Sequence, residues 1–372
     1  MHAFDSPYGA LSLTRYPPTQ NPTLQAFDAA DHYLLSQLQA QPEPGPLLII
    51  NDQFGALACA LAAQQPCSWG DSHLSELALA ENLRINQLAS GQIEMVPGDQ
   101  SPPGQYQQVL LRVPKSLTLL EDQLRRLRPR LLPGAVVIAG AMIKHLPPRA
   151  GDLLARYIGP YQASLGWKKA RLLSASFDPQ LIPPTQPLVS HYALDGTDIS
   201  LCNQPGVFSR ERLDIGTRVM LPLIAEQTAT ATNIADLGCG NGALGIMAAL
   251  HNAQAQLLFC DESYAAVASA KQNFTNALPG RTAEFRVNDG LIGITPDSLD
   301  VVLCNPPFHQ QQVIGDDIAL RLFQQSRSAL KPGGRLLVVG NRHLGYHVKL
   351  KQYFSQVTQL AASDKFVVLL AN

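Results

Sequence analysis

The chain repeats itself. Trp69-Gly70-Asp71-Ser72, leading into a helical pattern that runs to Asn86, is matched in order and spacing by Cys260-Asp261-Glu262-Ser263 and a helical pattern to Asn276. Val109-Leu110-Leu111-Arg112-Val113-Pro114 is echoed by Val301-Val302-Leu303-Cys304-Asn305-Pro306. Leu132-Pro133-Gly134 with Ala135-Val136-Val137-Ile138 is echoed by Lys331-Pro332-Gly333 with Arg335-Leu336-Leu337-Val338. A retained order of elements at nearly constant separation reads as two copies of one fold. The 372 residues agree with that, since ~150 residues is an ordinary domain. Motif matching sets Asp71 against Asp261 and Val113 against Asn305.

Between the copies, Pro179, Pro183, Pro184 and Pro187 remove backbone donors and fix φ, so no helix forms there. The expected division is a first domain over residues 1–177, a linker over 178–187 and a second domain over 188–372. In the second copy, short β-branched runs at residues 234–237, 256–260, 284–287, 299–304 and 335–340 alternate with amphipathic helical stretches such as 264–276. That alternation predicts an α/β architecture, a parallel sheet with helices on both faces. The last two runs, 358–361 and 366–370, are joined by too short a segment for a parallel crossover and are expected to pair antiparallel. Asp195-Gly196 reads as the two-residue turn of a hairpin opening this domain.

No run reaches the roughly 18 apolar residues of a membrane span, and Met1 to Arg15 has no basic stretch before an apolar block. The six cysteines are scattered, with no C-x-x-C pair, which predicts neither a metal site nor a disulfide framework and points to a reducing cytoplasm. A net charge of −1 excludes a simple polycation. The charge is uneven, however. Residues 1–100 hold two basic side chains against ten acidic ones, and residues 101–175 hold twelve against three. This basic island contains Arg125, Arg126, Arg128 and Arg130 at the end of an expected helix, and Trp167-Lys168-Lys169-Ala170-Arg171, an indole beside three cations. Such groups suit phosphate contact and base stacking, and equally a solvated helix end and strand rim.

Asp236-Leu237-Gly238-Cys239-Gly240-Asn241-Gly242 follows a strand and opens a helix, where glycines let a ligand approach the backbone. Asp261, at the end of the next strand, is placed to accept from ribose hydroxyls, and Asp289 adds a third carboxylate at the same sheet edge. Turn glycines and helix-capping acids would account for each of these singly. The fourth strand, ending Cys304-Asn305-Pro306-Pro307-Phe308, decides between the readings. Two prolines at the end of a central strand are costly unless that backbone serves something else.

These residues resemble a known family. Asp236 to Gly242 looks like the first signature of class I S-adenosylmethionine-dependent methyltransferases, and Asn305-Pro306-Pro307-Phe308 like that of enzymes methylating planar exocyclic or amide nitrogens. Along essentially its whole length the chain is similar to the ribosomal RNA guanine-N2 methyltransferases, a group with one branch for 23S rRNA and another for 16S rRNA. Residues 167–171, 207–210, 213–216 and 305–311 resemble the 23S branch. The resemblance implies two tandem Rossmann-like domains, each a mostly parallel seven-stranded sheet with an antiparallel last strand, the N-terminal copy degenerate.

It further implies S-adenosylmethionine as cofactor, with Gly238, Gly240 and Gly242 lining the methionine moiety, Asp236 near its amino group, Asp261 on the ribose and Asp289 at the adenine. Phe208 and Asp214 would help close that pocket. Asn305 and Pro306 would accept from the target amine and Phe308 would stack on the base. The implied partner is 23S rRNA, deproteinised or in an assembly intermediate, because a duplex hides guanine N2. The 16S rRNA, another planar nitrogen (adenine N6 or protein glutamine N5) and a non-catalytic RNA-binding assembly protein stand as alternatives. No metal or membrane is implied. His309 reads as a surface-loop histidine, and Cys239 and Cys304 as small packed residues. In the first copy, Ile49 to Gly55 lacks the triple glycine and Val113-Pro114-Lys115 stands for Asn-Pro-Pro, so that copy is expected to bind no cofactor, with Asp71 as a helix cap and RNA docking as its task.

Overall fold

The computed structural model describes residues 1–19, 21–40, 45–307 and 312–372. The chain divides into two compact units, Met1–Leu188 and Val189–Asn372, and residues 181–189 at the boundary carry no regular element. The first unit runs β1 (His2–Ser6), β2 (Gly9–Leu13), α1 (Ala29–Ala40), β3 (Leu47–Ile50), α2 (Ala56–Ala60), β4 (Cys67–Gly70), α3 (His73–Ile85), β5 (Glu94–Pro97), β6 (Tyr106–Arg112), α4 (Leu117–Leu127), β7 (Leu131–Met142), α5 (Ala150–Tyr157), β8 (Tyr161–Ala163) and β9 (Ala170–Ser176). The second runs β10 (Ser190–Ala193), β11 (Ser200–Asn203), α6 (Ile215–Thr228), β12 (Asn233–Leu237), α7 (Ala243–His251), β13 (Gln256–Asp261), α8 (Tyr264–Ala277), β14 (Glu284–Val287), β15 (Leu299–Cys304), α9 (Gln312–Ala329), β16 (Leu330–Asn341), α10 (Tyr346–Lys349), β17 (Val357–Ala362) and β18 (Phe366–Ala371).

Each unit is an antiparallel hairpin, a helix and a seven-stranded sheet. The sheet orders are β5-β4-β3-β6-β7-β9-β8 and β14-β13-β12-β15-β16-β18-β17. The first five strands of each order are parallel, and β9 and β18 run antiparallel to both neighbours. Because helices cover both faces, the central strands are near-continuous apolar runs whose successive residues enter two cores. Ile234, Phe259, Val301 and Leu303 face one core of the second unit, and Ala235, Cys260, Val302 and Cys304 the other. In the first unit Leu47 and Ile49 face one core and Leu48 and Ile50 the other.

Sheet register corrects the residue equivalences between the two copies. Leu47 pairs with Gln108 and Ile50 with Leu111, as Ile234 pairs with Val301 and Leu237 with Cys304. The turns after Ile50 and Leu237 have equal length, closing on left-handed N-cap glycines, Gly55 (φ 79°) and Gly242 (φ 86°). Arg112, not Val113, therefore stands where the second unit has Asn305. Likewise Leu48 pairs with Cys67 and Ala235 with Leu258, so Gly70 takes the place of Asp261, and Asp71 that of Glu262. The cap of α3 is Ser72, which accepts from Ser75 N, as Ser263 caps α8; Asp71 is not the capping residue. Matching one proline against a pair of prolines slipped the alignment by one, and pairing alone reveals such a slip.

The hairpin differs in detail from expectation. Thr197 donates to the Leu194 carbonyl across Asp195-Gly196, but pairing resumes only between Leu194 and Ile199, which gives four loop residues instead of two. Among the described residues, no helix is long and apolar enough to cross a membrane.

Candidate functional site

The crevice outside the carboxyl ends of β12, β13, β14 and β15 lies where the strand order reverses, the usual ligand position of an open α/β sheet. Gly238, Gly240 and Gly242 all adopt positive φ (68°, 54° and 86°), which bends the chain from β12 into α7 in a way side chains disfavour. A Cβ at Gly240 would meet nothing within 4 Å, and one at Gly238 only the Asn305 carbonyl oxygen at 4.0 Å. The glycine backbone thus borders open space directly beside the end of β15.

A polar network fixes this loop from behind. Asn241 donates to the Tyr192 hydroxyl (2.6 Å) and to Asn203 Oδ1 (2.7 Å), and Asn273 donates to the Asn241 carbonyl (3.0 Å) and exchanges bonds with the backbone of Cys202. The β10–β11 hairpin is thereby tied to the glycine turn, a role with no local signal in the sequence.

The three rim carboxylates are placed differently. Asp236 is buried beneath the loop and accepts from Gly245 N at 2.8 Å; burial, reinforced by the Asp261 charge, pushes its pKa up to about 8. Asp261 accepts from Gly240 N (2.9 Å) and Ser263 N (3.0 Å), and burial raises its pKa against those two bonds. Asp289 is paired through both oxygens with Arg321 of α9 at 2.5 Å, a partner sequence reasoning missed. Asp236 thus lies under the glycine turn, Asp261 holds the turn through Gly240 N, and Asp289 follows β14, paired with the Arg321 guanidinium.

Asn305 ends β15. Its side-chain nitrogen donates to Asp214 Oδ2 (3.0 Å) and Thr217 Oγ1 (2.9 Å), and its Oδ1 is buried with no hydrogen-bond partner among the described residues. A carboxylate only accepts, so the amide nitrogen must face Asp214 and the oxygen must face away from it. Asp214 caps α6, accepting from Thr217 N at 2.9 Å, and holds this amide. An unpaired buried amide oxygen costs about 1–3 kcal/mol, which marks the spot as one awaiting a donor. Pro306 is buried and Pro307 exposed; Phe308 and His309 lie outside the described residues, and Phe208 is exposed in the loop between β11 and α6. Cys239 and Cys304 are buried free thiols whose pKa burial drives upward, which suits packing and not nucleophilic attack. Among the described residues there is no cluster of His, Cys, Asp and Glu able to hold a metal.

The RLMG N-terminal domain model matches residues 1–179 and the methyltransferase small domain model residues 198–370. The ribosomal RNA large subunit methyltransferase G of Stutzerimonas stutzeri (strain A1501) is 55% identical over 99% of both chains. That of Pseudomonas putida KT2440 is 54% identical over 100% of both. The chain belongs to the ribosomal RNA large subunit methyltransferase G family. A solved structure of the T. thermophilus 16S rRNA N2 G1207 methyltransferase, in complex with AdoMet and guanosine, shares the fold across 100% of this chain and 97% of that one, with a TM-score of 0.78 and 21% identity.

In this methyltransferase the arginines at 125–130 and the cations at 168–171 of the RLMG N-terminal domain are placed differently. Arg126 donates to the Gly98 carbonyl (2.7 Å), pairs with Asp122 and lies over the Trp69 ring, and Arg125 also pairs with Asp122. Arg128 donates to the carbonyls of Tyr157, Asp178 and Leu181 and covers Phe177. These guanidinium groups hold the unit's own chain, which the run of arginines did not reveal; Arg130 is half-buried. Lys168, Lys169 and Arg171 are exposed around a tight turn, with Lys168 over the Trp167 ring and Trp167 beside Tyr33.

Proposed function

We propose that this chain transfers a methyl group from S-adenosylmethionine to the exocyclic N2 of a guanine in 23S rRNA. The observation that carries the reading is the buried Oδ1 of Asn305, without a hydrogen-bond partner among the described residues, beside the open space over Gly238 and Gly240. That space, the absence of side chains on the glycines and the adjacent Asp261 fit a nucleoside cofactor. Gly238, Gly240 and Gly242 would border its methionine end, Asp236 would sit beneath its amino group, and Asp261 would receive its ribose. When bound, S-adenosylmethionine supplies a methyl group activated by its sulfonium.

The residues of the chain do the rest. The guanine N2 lone pair is delocalised into the ring, so the amine is a poor nucleophile until it is oriented. Asn305 Oδ1 and the Pro306 carbonyl accept its two N–H bonds and turn the nitrogen toward the methyl group. The fixed φ of Pro306 and Pro307 keeps these acceptors rigid. The proton released after transfer passes to solvent or to a carbonyl.

The exposed tip at residues 167–171 is the reading's RNA-docking element. Lys168 and Lys169 sit at φ 44° and 66°, in a left-handed turn that glycine or asparagine would occupy at lower cost. Cations held there against backbone preference fit a phosphate-binding task, with Trp167 offering a stacking face. Guanine N2 must leave its base pair to reach Asn305, so the substrate is protein-free RNA or an assembly intermediate.

The test is incubation of the full chain and methyl-labelled S-adenosylmethionine with protein-free 23S rRNA, protein-free 16S rRNA or assembled large ribosomal particles, followed by digestion to nucleosides. Label in N2-methylguanosine from protein-free 23S rRNA is the expected result. Label only in 16S rRNA, in N6-methyladenosine, or in no RNA would overturn it.

A further inference from the structure

We propose that Asp214 and Thr217 are positioning residues for methyl transfer, which act by locking the orientation of the Asn305 amide. The inference rests on the reading of Asn305 as the acceptor of the target amine. Both N–H bonds of that amide are occupied, one by Asp214 Oδ2 and one by Thr217 Oγ1. The same Asp214 oxygen accepts Thr217 N, so the first turn of α6 and the amide share one anchor. Thr217 is buried.

An asparagine amide presents an acceptor on one side and donors on the other, and its two orientations have nearly the same shape. A flip would turn two N–H groups toward the incoming amine, where they would repel its N–H bonds. Asp214, as an acceptor-only carboxylate, disfavours that flip, and Thr217 removes the remaining freedom. An acceptor held within a few tenths of an ångström keeps the amine aligned for displacement, whereas a swinging one does not.

The degenerate copy keeps the same geometry with altered chemistry. Arg112, at the Asn305 position, donates to Asp28 and Asp31. Asp28 immediately precedes α1 and Asp31 is its third residue, as Asp214 and Thr217 stand to α6. The helix start that clamps an amide in one copy clamps a guanidinium in the other. Two polar groups offered by the first turn of this helix to the end of the fourth strand in the order are thus a feature of the fold, and the second copy uses it to aim an acceptor.

Single-turnover transfer to 23S rRNA by the full-length protein tests the clamp. Thr217→Val, which keeps volume and removes the hydroxyl, should slow transfer about tenfold or more, on the scale of a lost orienting contact, with adenosylhomocysteine affinity and Tm close to wild type. Thr217→Ser should restore most of the rate. Asp214→Ser, which keeps a helix cap and loses the carboxylate, should slow transfer similarly. In an Asn305→Ala background, Thr217→Val should have no further effect, because its influence runs through that amide. A wild-type rate for Thr217→Val, a failure of Thr217→Ser to recover, or an undiminished loss in the Asn305→Ala background would overturn the clamp while leaving Asn305 in place. A wild-type rate for Asn305→Ala alone would remove the acceptor reading and the clamp with it.

Discussion

Arg112 grips both carboxylate oxygens of Asp28, at 2.8 Å each, in the place where the second unit holds Asn305 against Asp214. Asp31 adds a third bond at 2.9 Å, and Asp52, buried nearby, is held by Ala58 N. Burial pushes Asp31 up to about 7 against the pull of Arg112, and Asp28 and Asp52 push it further. The degenerate copy therefore fills the position equivalent to Asn305 with an ion pair, and Arg112 is what keeps three clustered carboxylates tolerable.

Removing that guanidinium by Arg112→Ala should destabilise the first unit by about 3–5 kcal/mol, the usual cost of stranding buried charge. Both tryptophans, Trp69 and Trp167, lie in this unit, so intrinsic fluorescence during urea unfolding reports it selectively. A wild-type midpoint in that titration would deny the pair a stabilising role.

Asp236 gives a pH signature. Its folded pKa is raised to about 8 by burial, above the ordinary 3.8. Between those values the unfolded chain loses the proton and the folded one keeps it, so stability falls as pH rises through this window and levels off above it. Asp236→Asn keeps an acceptor for Gly245 N without the ionisable group. Its Tm should match wild type near pH 4 and exceed it at pH 8 in the ligand-free protein. Parallel pH profiles for the two proteins would contradict the shift.

The exposed tip of the first unit makes an electrostatic prediction. Replacing Lys168, Lys169 and Arg171 with alanine should weaken 23S rRNA binding and reduce the slope of log affinity against log salt by about 2, at ~0.7 per single-strand phosphate contact. An unchanged slope would reduce the tip to solvated surface.

Much of the fold was legible because periodicity is local. The runs at residues 284–287 and 299–304 coincide with β14 and β15, and the antiparallel pairing of the last two strands followed from the length of their connection. The glycine turn was legible as well, since its conformation rests on three glycines within seven consecutive residues. What escaped is long-range. Asp214 and Asn305 stand ninety-one positions apart, and the contact between them depends on α6 starting beside the end of β15. The same holds for Arg321 on Asp289 and for Asn241 on the hairpin. Register also escaped, because Arg112-Val113-Pro114 and Asn305-Pro306-Pro307 share one proline in a position that motif matching misassigned. The arginines of α4 and the turn after it read as a basic surface, whereas Arg126 and Arg128 find aromatic rings and carbonyls that lie far off in sequence.

The Asn305 amide itself is testable by substitution. Asn305→Ala should retain adenosylhomocysteine binding within about twofold and lose transfer by about 10²-fold, as expected when an orienting contact of the transition state is removed.

The most direct measurement is mass mapping of modified nucleosides in rRNA from cells lacking this protein, complemented with either the wild-type chain or Asn305→Ala. One 23S N2-methylguanosine should disappear on deletion, return with the wild-type chain and stay absent with the variant. An intact 23S pattern after deletion, or full restoration by Asn305→Ala, would contradict it.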